Sequence, residues 1–301
     1  MQTNNIARQN QTSGGDYPEL RPIHTAILRI YDIFSEIVSR HGLRHYVSFG
    51  SALGAIRHHG FIPWDDDMDV AMPREDYMKF IDIAKKELPD GLAWVDHHNT
   101  PEFPDHFGKI QVTDRSLVDS LEKSTGYPLP HGIFLDVFAL DGYPTNPLKI
   151  LRRRFLWKML RARNFYFWGR KPSSLRERIV WWIGRFSGVF FDHYDTFEDR
   201  FRIEESIALS IPPFQGRYCC NFQSGYSELV FFFPSRCWEP CSQGVFEGRT
   251  VPLPGDCDTL LRMQYGDYMK LPPQEQRQPR HESIQPAPWK YGPTRTEKGT
   301  A

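Results

Sequence analysis

Four aspartates crowd into five positions, Asp65, Asp66, Asp67 and Asp69, within the run WDDDMDVAM. Carboxylates held that close raise the cost of one another's ionisation, so a fold that gathers them normally brings a cation to neutralise them. The other outcome is a solvated acidic turn, the usual fate of a charge run. Strand geometry bears on the choice. Met68 to Met72 reads as a strand, and residues two apart on an extended chain point the same way, which turns Asp67 and Asp69 toward one ion. Upstream, Tyr46 to Phe49 reads as a second short strand. Gly50 and Ser51 then turn the chain sharply into a helix through Arg57, and the first N–H groups of that helix suit a phosphate. Hard oxygen ligands beside a phosphate imply magnesium, with manganese as the alternative.

A further carboxylate stands alone in the apolar run Ile133-Phe134-Leu135-Asp136-Val137-Phe138. Burying an unpaired charge is expensive, so Asp136 requires either a cation or a buried Lys or Arg partner, and the sequence leaves both open. Arg57 and His58, between the Gly-Ser helix and the aspartates, are candidate phosphate contacts, Arg57 by its bidentate fork. Lys109 and His281 are further candidates. An ordinary surface charge accounts equally well for His58, its neighbour His59 and His281.

The Gly-Ser turn followed by Asp-x-Asp resembles the pattern of the nucleotidyltransferase superfamily. More narrowly, GSALGAIRHHGFIPWDDDMDVAMPREDYMKF, from Gly50 to Phe80, resembles the signature of the LicD family, which includes bacterial phosphorylcholine transferases and fukutin-related proteins. FLDVFALDGYP from Phe134 and YGDYMKLPP from Tyr265 extend the likeness over most of the chain. The resemblance implies an α/β chain of mixed α+β type, a small nucleotidyltransferase-like sheet flanked by helices with a helical aromatic-basic insertion. It also implies that Asp136 completes a metal site with Asp67 and Asp69. The implied donor is a CDP-linked alcohol, commonly CDP-choline, and the acceptor a sugar hydroxyl of a cell-surface glycan such as lipopolysaccharide or teichoic acid, free or lipid-linked. Fukutin-type relatives instead move ribitol phosphate from CDP-ribitol and carry membrane anchors. Phosphoryl transfer needs positioning and charge neutralisation above all, plus a carboxylate to take the acceptor's proton: Asp136 itself, Asp65 or Asp66. Nucleotidyl transfer at the same metal site, or a catalytically silent glycan- or membrane-binding scaffold, are the rival readings.

Lys plus Arg equals Asp plus Glu at 37 each, so no global field draws the chain to nucleic acid, and a nucleic-acid partner is not expected. The polar opening MQTNNIARQNQTSGGDYPEL lacks the apolar core of a signal peptide, and no window reaches the roughly 18 apolar residues of a spanning helix. The expectation is a cytoplasmic protein, at most peripheral on the cytoplasmic face of a membrane. Five cysteines are an odd count, which argues against a disulfide framework. Cys219, Cys220, Cys237 and Cys241 lack the two-residue spacing of a typical zinc site.

Residues 1–16 are expected to be a disordered tail, 17–289 a single catalytic domain and 290–301 a flexible end. Apolar residues at helical spacing predict a helix from Arg21 to His41 and another from Pro73 to Leu88. Strands are expected at Leu92–Val95, Gly108–Val112, Ile133–Phe138, Val230–Phe233 and within FEGRTVPLP, and a short helix at Cys257–Tyr265. Residues 151–191 interleave Arg and Lys with Trp, Phe and Leu. They read either as core-packing helices with solvated basic faces or as an interfacial helix on an anionic membrane.

Overall fold

The computed structural model describes residues 17–100, 103, 107–129, 131–143, 146–167, 172–187, 202, 205–206, 214, 216–220 and 232–278. Both tails, His281, Val230, Phe231 and the stretches 168–171 and 188–191 of the aromatic-basic segment lie outside these residues.

The architecture is a mixed sheet flanked by helices. β1 (Tyr46–Val47), β2 (Asp69–Pro73), β5 (Phe134–Tyr143), β4 (Gly108–Val112) and β3 (Leu92–Val95) lie side by side in that order. β2 and β5 are parallel, and the other neighbours run antiparallel. Parallel neighbours need a long crossover, supplied here by α3 (Arg74–Glu87), β3, β4 and α4 (Arg115–Thr125). The far end of β5 pairs with β6 (Tyr218–Cys220), which pairs with β7 (Phe232–Pro234).

α1 (Arg21–Arg40) forms where its spacing predicts, burying Ile23, Ile27, Ile30, Phe34, Ile37 and Val38, and the chain leaves it through Gly42 at φ 62°. α3 begins after Pro73, carries Glu75 and Asp76 in its first turn and Lys85 and Lys86 in its last, and so suits the helix dipole at both ends. Phe34, Phe80 and Trp94 meet edge to face where α1, α3 and β3 converge. α4 is capped by the Asp114 carboxylate, which accepts from the Ser116 and Leu117 N–H groups.

Several boundaries differ from expectation. β2 starts at Asp69, so Asp67 sits in the segment ahead of the strand, and Pro73 closes the strand instead of opening the helix. β5 runs on to Tyr143, through an Asp-Gly pair that reads locally as a breaker. It continues because Asp141, Gly142 and Tyr143 pair with β6, while the fully buried Asp141 meets the Arg74 guanidinium, with Nε–Oδ1 at 2.7 Å and Nη2–Oδ2 at 3.0 Å. The turn into α2 (Phe49–His58) is made at Phe49, whose φ is 52°, and not at Gly50. A left-handed phenylalanine is unusual; its ring packs edge-on against Phe138, at 4.9 Å between centroids.

A two-stranded hairpin, β8 (Ser242–Phe246) and β9 (Arg249–Leu253), buries Phe246, Val251 and Leu253 in the main core. Its turn places Glu247 and Gly248 both at positive φ, the tight-hairpin geometry that matches strand twist. α7 (Cys257–Tyr265) follows, with the predicted bounds. α5 (Pro147–Phe167) and α6 (Leu175–Phe186) pack on each other, and no helix among the described residues is long and apolar enough to cross a membrane.

Candidate active site

Register brings the predicted acids together. Asp69 on β2 stands beside Asp136 on β5, and on the other side of β5 Lys109 of β4 is the partner of Asp136. The Gly-Ser turn is fastened to the same place: Ser51 Oγ accepts from the Asp69 N–H at 2.8 Å, and the Asp69 carbonyl accepts from the Ser48 N–H at 3.1 Å. Ser51 is buried and so positions the acidic strand. Gly50 is needed for close approach, since a Cβ there would meet Asp65 Oδ2 at 3.1 Å.

Carboxylate oxygens of Asp67, Asp69 and Asp136 lie within 4.8 Å of one another. Asp69 retains some surface, yet its acidity is pushed well down: burial raises its pKa most, followed by the charges of Asp67, Asp136 and Asp65. Lys109 Nζ donates to Asp136 Oδ1 at 2.6 Å, and both residues are buried. The ammonium also stands over the rings of Phe134 and Phe107, at 4.0 and 4.7 Å. The two partners that the sequence left open for Asp136 are therefore not exclusive. It has its lysine and still belongs to the acidic trio. The carboxylate oxygens gathered beside this ammonium are hard donors, a set that would fit magnesium or manganese.

The remaining acids divide. Asp65 is half-buried beside Gly50, and its carbonyl accepts from His24 Nε2 at 2.7 Å. His24 stacks on Phe61 at 3.9 Å, and burial lowers its pKa. Asp66 is buried and accepts from the Tyr127 hydroxyl at 2.6 Å, so it holds the loop in place. No local signal marks His24 or Tyr127 as partners of the acidic run, because each reaches it from a distant element.

At the end of α2, Arg57 Nε donates to His58 Nε2 at 2.9 Å and Nη1 to the Tyr268 carbonyl at 2.5 Å. Burial first, then the Arg57 charge, brings the His58 pKa down to about 4, so His58 is a neutral acceptor that fixes Arg57. Burial and the Arg277 charge lower the Arg57 pKa in turn, while the Asp65 carboxylate is near enough to favour its charged form. His59 ends α2 in a left-handed conformation, exposed, with its carbonyl taking the Glu247 N–H at 2.9 Å.

Away from this site, His97, His98 and Glu205 also bring ligand atoms within 4.8 Å, and the Glu205 carboxylate raises the His98 pKa. Among the described residues no metal-holding group includes a cysteine. Cys219 and Cys237 are buried in the smaller apolar cluster beside β6 and β7.

The fold and site define a mixed α/β protein whose central strands converge on a carboxylate trio held against a buried lysine. Residues 42–116 match the family model described as LicD/FKTN/FKRP, nucleotidyltransferase domain, a span that includes Asp65, Asp67, Asp69 and Lys109 and stops short of Asp136. The chain is 27% identical over 269 residues to the lipopolysaccharide cholinephosphotransferase LicD of Haemophilus influenzae, covering 87% of this chain and 96% of that protein. Two uncharacterized Rickettsia proteins match more locally: that of R. typhi at 38% over 48 residues, 16% of each chain, and that of R. prowazekii at 39% over 41 residues, 14% of this chain and 15% of the relative. In that domain and in its likeness to the Haemophilus protein, the chain resembles the LicD family.

Proposed function

We propose that this protein transfers phosphocholine from a CDP-linked donor to a sugar hydroxyl of a surface glycan, with lipopolysaccharide the favoured acceptor. The observation that carries the reading is the convergence of Asp67, Asp69 and Asp136 within 4.8 Å beside Lys109. The likeness to the Haemophilus cholinephosphotransferase along nearly its whole length supports the substrate class.

Asp67, Asp69 and Asp136 are the residues that would hold a divalent cation, which when bound neutralises charge across the donor diphosphate. Lys109 fixes the orientation of Asp136. Ser51 holds the Asp69 backbone in register, and Gly50 leaves room for Asp65. Arg57, held by His58 and the Tyr268 carbonyl, lies where its charge can steer a phosphate toward the acids. The acceptor oxygen attacks the phosphorus that carries choline, the bond from that phosphorus to the CMP oxygen breaks, and CMP leaves. The hydroxyl proton passes to a carboxylate at the edge of the trio. Asp65, half-buried and close enough for its charge to act on Asp69, takes that role.

Incubation with CDP-choline, magnesium and lipopolysaccharide, followed by mass analysis, tests this. CMP release with a phosphocholine mass added to the glycan is expected. A nucleotide mass on the acceptor would replace the proposal with nucleotidyl transfer.

A further inference from the structure

α6 is amphipathic in an unusual sense: its outer face is the apolar one. The helix is framed by a capping box, Ser174 accepting from the Glu177 N–H, and at its other end Arg163 Nη1 of α5 reaches the Gly184 and Arg185 carbonyls at 3.4 and 3.3 Å. Gly184 sets the inner face. A Cβ there would meet the Ala162 carbonyl of α5 at 2.0 Å, so α6 lies directly on the α5 backbone. With about 3.6 residues per turn, Leu175, Ile179, Trp182, Ile183 and Phe186 fall in one stripe on the opposite side. All five are exposed, Leu175 by 74% and Phe186 by 65%. A core-packing helix with a solvated basic face would present the reverse.

Charge says what covers this stripe. Arg178 and Arg185 run along one margin and Arg176 along the other, all exposed, and the Arg185 guanidinium sits 5.8 Å from the Trp182 ring centre. Residues 147–187 carry twelve Lys and Arg against one Glu, in a chain whose totals balance at 37 of each sign. The rest of the molecule is correspondingly acidic. An apolar stripe bordered by arginines, on a basic segment of an otherwise acidic protein, matches a surface that is apolar beneath a layer of negative charge. Twelve residues rise about 18 Å, too little to span a bilayer core of about 30 Å, so the helix lies flat.

We propose that α6 is a membrane-docking face that seats its Leu175–Phe186 stripe in the headgroup layer of an anionic bilayer, with Arg176, Arg178 and Arg185 on the lipid phosphates. This stands apart from the transfer reaction, and its test does not depend on activity. In flotation with vesicles of phosphatidylcholine containing phosphatidylglycerol, the full-length protein should bind at low salt at least about tenfold better than with phosphatidylcholine alone, and high salt should release it. Ile179→Glu with Trp182→Glu should reduce binding to the neutral-vesicle level while circular dichroism stays unchanged, since both side chains are exposed. Independently, Arg176→Glu with Arg178→Glu and Arg185→Glu should remove the preference for anionic vesicles. Absence of binding by the unaltered protein, equal binding to both vesicle types, or full binding by the Ile179→Glu, Trp182→Glu double variant would overturn the proposal. So would light scattering that shows the stripe consumed in a dimer of this chain, with the unaltered protein failing to float.

Discussion

β5 carries two buried aspartates five residues apart that meet opposite fates. Asp141 is fully buried and held by Arg74 through two hydrogen bonds in a parallel fork. Asp136 is as deeply buried and has Lys109 at 2.6 Å, but Asp67 and Asp69 crowd it from the other side. The first pair joins opposite charges across α3 and β5 and serves the fold. The second brings three carboxylates together beside the Lys109 ammonium, an arrangement whose oxygens could hold a cation. Burial of a carboxylate by itself therefore does not identify a functional acid.

Removing either cation tests the difference. Arg74→Ala leaves Asp141 buried without its counter-charge, which should cost about 3–5 kcal/mol in urea unfolding, with no relief from added magnesium. Lys109→Ala should also destabilise the protein, but saturating magnesium should recover much of the loss, because the cation takes over the neutralisation. Equal response of the two variants to magnesium would remove the distinction between the pairs.

Removing an acid separates fold from activity. Asp69→Asn should lower transfer at least about a hundredfold, roughly 2.7 kcal/mol of barrier, while the metal-free protein keeps or gains stability as like charges are relieved. Asp67→Asn should behave alike. Near-native turnover under saturating magnesium would exclude these residues as ligands. Tyr127→Phe leaves the buried Asp66 carboxylate without its hydroxyl donor and should cost about 1–3 kcal/mol, with a smaller effect on turnover than Asp69→Asn.

The smallest effect is a slope. Asp69 has its pKa raised in the fold, so near the ordinary aspartate value of about 4 and above it the folded state holds the proton more tightly than the unfolded chain does. Metal-free stability should fall as pH rises through that window toward the raised value, by at most about 1.4 kcal/mol per pH unit. Below the unfolded value the stabilising contribution is fully present. Asp69→Asn should flatten the slope, as should saturating magnesium, and urea titrations upward from about pH 4 would read both.

Periodicity made α1 and α3 legible in the sequence, because each buries a regular face, while β3 and β4 were legible as short runs between polar, Pro- and Gly-bearing loops. The acidic run was legible for a different reason: like charges so close in sequence must also be close in space. Elsewhere a distant partner decides. β5 runs on through Asp-Gly because β6, far along the chain, pairs with it and Arg74 meets the buried Asp141, and Asp66 is tied down by a hydroxyl from distant Tyr127. Asp136 enters the trio through strand register, and its lysine arrives from the other side. The orientation of α6, apolar face outward, likewise depends on Gly184 fitting against Ala162. The sequence by itself determined which residue types were available and where regular elements would form, since those depend on near neighbours. Only the tertiary structure decided which charge each buried acid would meet, because Coulomb attraction, desolvation and hydrogen bonding act through space and take no account of separation along the chain.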